Sequence, residues 1–223
     1  MAFPSVGHAG SARPGDRLLA CVAEQGSAAH PYLTSDALLR GPHAARNLSD
    51  AVHFICTLHG RYPGVVDHAA NRCAEPAARA WFNTALEGFA AERGFLTRLA
   101  VAAGPIPSTP GASDNEGAVM GQRHAIEMLA QSERRGCALG AAVALIVDWG
   151  SIHDVLAVAA SRFGLEPPEY RLDDPAVILS LANQAAGAAA VERALLFGAE
   201  QIVVQHHGLW DLLEARSEAR GEL

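Results

Sequence analysis

Between residues 76 and 103, apolar side chains return at every third or fourth position or a small multiple of that spacing. Trp81, Ala85, Phe89, Leu96, Leu99 and Ala103 fall on one stripe. A helix of 3.6 residues per turn gathers such a stripe on one side, so the segment must lie against other helices. The spacing recurs in two further stretches. Ala118, Ala125, Leu129, Gly136, Leu139, Val143 and Ile146 make a second stripe, and Ile178, Leu181, Ala185, Ala188, Leu195, Ala199, Ile202, Leu209 and Leu213 a third. No alternating run of β-branched residues bounded by turns competes with them, and the strand-like "EQIVVQHH" has helical flanks. The pattern predicts an all-α fold: an up-and-down helical bundle with long helices and extra short N-terminal helices.

Composition agrees. Hydrophobic residues make up 50% of the 223 positions and charged ones 18%, enough for a sizeable core. Aromatics are 6%, so the core is built mainly from small and aliphatic side chains that let helices approach closely. Gly136 and Gly140, and Gly117 and Gly121, are spaced for such contacts. The formal net charge of -7 and the lack of a long basic run argue against nucleic acid as a partner. The four cysteines, at 21, 56, 73 and 137, contain no Cys-x-x-Cys pair and read as reduced cytoplasmic thiols. The most apolar run, 137–147, ends at Asp148 and is shorter than the roughly 20 residues a membrane span needs, so no membrane partner is expected.

Punctuation sets the segments. Residues 1–15 read as a flexible arm and 16–223 as a single domain. A short helix follows Asp16 and stops at Gly26, and residues 27–46 are mostly irregular, with one helical turn at "SDALLR". Ser49 or Asp50 can cap the next helix, which Gly60 and Pro63 end. Four long segments follow: Pro76 to Ala103, a second from "SDNEG" to Asp148, a third after Gly150, and a last one opened by Asp174 and Pro175. The last segment runs on to about Ala215 with a kink near Gly198.

Polar residues that interrupt the stripes are the candidates for chemistry. Glu92 sits between Phe89 and Leu96, Glu192 between Ala188 and Leu195, and His206 between Ile202 and Leu209, while Asp148 ends the apolar run. A buried carboxylate is costly unless it is paired, protonated or bound to a cation. One reading therefore brings two or more of these acids to a metal. The other, favoured on general grounds, pairs each with an arginine or a helix end. Glu192 and His206 lie about 21 Å apart along one helix and cannot share an ion. His53 lies in an apolar helix, as a core histidine or an axial haem ligand. His59, near a helix C-terminus, suits the dipole when protonated. His207 and Asp211, four apart, could together touch a surface zinc ion.

Long helices, the "PIPS" turn after the first and the capped last helix resemble the ferritin-like superfamily. Its di-iron members use a Glu from each of two helices and Glu-x-x-His from each of two others. In this chain Glu92 would open one such pair, but "ERGF" puts Phe95 where the imidazole belongs, and no Glu is followed three residues later by His. The resemblance implies the architecture of residues 76–215, and its ligand motif is absent.

The expectation is a non-catalytic helical protein of the bacterial cytoplasm, with a structural, interaction or small-ligand-binding role and no cofactor. It is a homo-oligomer in this reading, with Trp149 and Trp210 near helix ends. Two alternatives stand beside it: a metal-dependent oxidoreductase with iron or another divalent metal at Glu92, Glu192 and Asp148, and a haem- or apolar-ligand-binding bundle at His53.

Overall fold

A computed structural model describes residues 12–73, 76–109, 111–170, 172 and 175–221. The helices are α1 (Pro14–Gln25), α2 (Asp36–Leu39), α3 (Ala44–His59), α4 (Val65–Arg72), α5 (Pro76–Ala103), α6 (Ala112–Ala130), α7 (Cys137–Phe163), α8 (Pro175–Ala185) and α9 (Ala189–Ala219). Two 3-10 turns, Ser27–Ala29 and Pro31–Thr34, link α1 to α2. Among the described residues there is no strand.

The centre of the fold is α7. It packs on α9 along the most extensive helix pair, and α1, α3, α4, α5, α6 and α8 touch its other sides. Small residues explain the close fit of α7 and α9. A Cβ at Gly140 would overlap the Leu195 carbonyl, and one at Gly198 would overlap that of Cys137. Leu139, Val143, Ile146, Ile152, Val155 and Leu156 of α7 and Leu195, Ile202, Val203 and Leu209 of α9 are buried. Each such side chain contributes about 1.5–3 kcal/mol on burial, so this interface anchors the fold. By length and composition α7 could cross a membrane, but 67% of its most apolar window is buried against the other helices.

Several boundaries differ from those the sequence suggests. The second long segment is two helices. Gly136 adopts φ +96° as the N-cap of α7, with its missing side chain against the Val191 carbonyl, and this left-handed residue lets the chain turn after α6. Asp148 and Gly150 do not interrupt α7, which runs unbroken to Phe163 and stops at left-handed Gly164. The last segment divides at 186–188 rather than bending at Gly198. Asp50 is no cap: α3 begins six residues earlier, at Ala44, with His43 at its N-cap position. The short helix α4 has no sequence-based counterpart. On α6 the inward face is Val119, Ile126, Leu129 and Ala130, while Ala118 is exposed. Gly117 and Gly121 face open space. Trp149 and Trp210 lie inside α7 and α9 and are fully buried within one chain, so neither is offered to a second copy. The proposed cap at Asp174, and the arm up to residue 11, lie outside the described residues.

Candidate functional site

Four helices and one turn bring seven polar or indole side chains to the middle of the molecule. Asp148 and Trp149 of α7 point to opposite partners, since adjacent helical residues diverge by about 100°. On one side, Asp148 accepts hydrogen bonds from the Ser27 backbone N–H (2.7 Å) and hydroxyl (2.6 Å). It also faces His206 Nδ1 at 2.6 Å. His206 Nε2 in turn meets His59 Nε2 at 2.9 Å. On the other side, Glu92 Oε2 accepts from Trp149 Nε1 (2.9 Å) and pairs with His153 Nδ1 (2.9 Å). Trp149 stands edge-on to His59, with ring centroids 5.5 Å apart, and separates the two carboxylates.

The electrostatics follow from burial. Asp148, His206, His59 and Ser27 are each at most 5% exposed. Burial pushes the Asp148 pKa up, but the hydrogen bond and charge of His206, with the two bonds from Ser27, outweigh it and hold the group below its ordinary 3.8. Burial and the neighbouring His206 hold His59 well below the ordinary 6.5. This favours the neutral His59 ring, which then lends no positive charge to the C-terminal end of α3. With Asp148 holding the Nδ1 proton of His206, a single proton lies between the two Nε2 atoms. Tyr170 packs on His153 with centroids 4.9 Å apart, and its pKa is raised by burial, then by Glu92, Asp154 and Asp148.

The sequence candidates thus fall in distinct surroundings. Glu92, Asp148 and His206 are buried, and their partners are histidine, tryptophan and serine rather than arginine. Glu192 is half-buried near the start of α9 and meets Arg17 at 2.9 Å. His53 is half-buried, its Nε2 2.7 Å from the Gly104 carbonyl. Glu92, Glu192 and Asp148 do not converge. Among the described residues, the one group of three metal-capable side chains with mutually close ligand atoms is His30, His207 and Asp211. Phe95, where the di-iron pattern would place histidine, is fully buried and stacks at 6.0 Å on His153, so an imidazole does face Glu92 but comes from α7. Sequence reasoning missed His153 and Ser27, and it singled out His59 without its partner His206. The signal for His153 was present: Trp149 and His153 are four apart on the buried face of α7.

Two further buried acids pair with arginines. Asp50 of α3 holds Arg216 of α9 (2.9 Å) and Arg220 (2.6 Å), the residue that caps the end of α9, and Asp67 of α4 holds Arg93 of α5 at 2.7 Å.

The family profile described as "Family of unknown function (DUF6975)" matches residues 22–221. The chain belongs to DUF6975. The matched span contains every residue of the central network and of the His30 cluster. Neither the curated proteins nor the solved structures give a match to this DUF6975 chain.

Access to solvent lies elsewhere. A groove of about 610 Å³ opens at the head of α7, lined by Arg72 and Cys73, the 132–136 turn, Ala138, Leu139, Ala185 and Val191. Arg72 donates to the carbonyls of Gln131 (2.6 Å) and Ser132 (2.7 Å) and braces the turn. Arg134 lies over the Phe197 ring at 5.1 Å. Three arginines, Arg72, Arg134 and Arg135, and one acid, Glu133, line the groove.

Proposed function

We propose that this DUF6975 chain is a non-catalytic binding protein that takes a small phosphate- or carboxylate-bearing molecule in the groove at the head of α7. The observation that carries the reading is the clustering of three arginines around an open groove in a chain of net charge -7. Guanidinium groups make charge-assisted, paired bonds to such anions, and the positive end of the 27-residue α7 adds to the field there.

The central network supports the non-catalytic half of the reading. General acid–base work needs a proton donor within reach of a substrate. Asp148, His206 and His59 are bonded to one another and to Ser27, and none of them lines the groove. They act as a polar core that fixes how α3, α7, α9 and the Ser27 turn meet. The cysteines, partly or fully buried and with no disulfide among the described residues, suit a reducing cytoplasm.

Titration calorimetry with inorganic phosphate, a nucleoside triphosphate and citrate, and with choline as a cationic control, tests the proposal. At least one anion is expected to bind while choline does not, and Arg134→Ala is expected to weaken that binding about ten-fold. The reading fails if no anion binds, or if Arg134→Ala and Arg135→Ala both leave affinity unchanged.

A further inference from the structure

His206 has a neighbour with a different fate. His207 faces the surface of α9, and Asp211, one turn on, shares its side of the helix. The turn between the two 3-10 segments brings a third group. His30 is 2% exposed, with its Nε2 3.1 Å from Asp211 Oδ1 and its ring 4.8 Å from that of His207. One ligand atom from each residue lies within 4.8 Å of the other two. Tetrahedral zinc, with bonds of about 2.0–2.2 Å to imidazole nitrogen and carboxylate oxygen, requires ligand atoms about 3.3–3.5 Å apart. Small side-chain rotations bring this cluster to that spacing.

We propose that His30, His207 and Asp211 form a binding site for a zinc-class divalent ion. Two neutral imidazoles and one carboxylate suit this borderline metal better than calcium or magnesium, which prefer all-oxygen shells. Asp211 is exposed, so the fourth position opens to water. His30 arrives by the backbone rather than by chance: it is the N-cap residue of the Pro31–Thr34 turn, and its Nδ1 accepts from the Tyr32 N–H at 3.2 Å. That bond fixes the metal-free ring with its proton on Nε2, donating to Asp211. Coordination through Nε2 moves the proton to Nδ1 and gives up the Tyr32 bond, a small cost beside three bonds to a divalent ion. The ion ties the 27–34 turn to α9, the same two segments that Ser27, Asp148 and His206 join in the interior.

The test uses the full chain without a histidine tag, stripped with chelator and titrated with Zn²⁺ and then with Co²⁺. The expected result is about one equivalent bound, with the visible bands of low-coordinate cobalt, and a raised melting temperature. His207→Ala and Asp211→Asn, both at the surface, are each expected to weaken the metal about ten-fold or more, while His68→Ala on α4 leaves it unchanged. Nitrogen-15 spectra are expected to show the His30 proton moving from Nε2 to Nδ1 as zinc is added. Zinc affinity that is the same in wild type, His207→Ala and Asp211→Asn would overturn the site, as would failure of the wild type to bind. A His30 ring whose tautomer ignores zinc would do the same.

Discussion

His206 and His207 are consecutive in sequence and opposite in circumstance. His206 is fully buried, bonded to Asp148 and His59, and closed off from solvent on every side. His207 is partly exposed and lies against the His30 ring, within reach of an exposed Asp211. The same side chain one position apart serves in one place as a polar strut and in the other as a candidate ligand. What separates them is whether neighbours already satisfy the ring nitrogens. A buried network with all its partners specifies one arrangement of helices. A half-satisfied cluster at the surface leaves coordination positions for something else.

The contrast is broken most severely at Asp148. Asp148→Ala removes the acceptor for His206 and for both groups of Ser27, and about 3–5 kcal/mol of stability is expected to go with it, read by urea unfolding. Gly198→Ala should cost about 1–3 kcal/mol, because the added methyl meets the Cys137 carbonyl and the amide of Ala141, both backbone groups that cannot swing aside. Acid should be felt in the interior in two stages. His59 is held neutral in the folded state, so below pH about 6.5 the unfolded chain binds one more proton than the folded one. Its contribution is whole above that pH and falls by up to about 1.4 kcal/mol per unit as pH drops toward the folded value. Asp148, with its folded pKa lowered, adds a second loss only as pH passes down through 3.8 and below. Unfolding midpoints from pH 8 to 2 check both. Smallest of all, His207→Ala in metal-free protein should shift stability by no more than about 0.5 kcal/mol.

The ease of reading this chain tracks how local the cause is. α5 is legible at both ends, because Pro76 opens it, Gly104 closes it and the stripe between is apolar. The break between α6 and α7 was not, because a glycine in a helical pattern looks alike whether it sits inside a helix or turns the chain. Gly136 turns it, whereas Gly150 stays helical with Tyr170 beside it. In the interior, Glu92, Asp148 and His206 show themselves as polar interruptions of apolar stripes. Two of their partnerships do not, because Ser27 lies in a short turn and His59 at a helix end, 121 and 147 residues from the groups they bond. The rim cluster was half visible in the spacing of His207 and Asp211, and only the fold supplies His30.

The claim on which the rest depends is that the central histidines are sealed struts. The direct measurement is a nitrogen-15 titration of the His59 ring, assigned with His59→Gln, over a pH range in which the fold is intact. The account predicts a ring that stays neutral well below pH 6.5 and changes only as the protein unfolds. A His59 that takes up a proton near 6.5 with the fold unchanged would contradict it, and would place solvent, and room for a substrate, at the centre of the bundle.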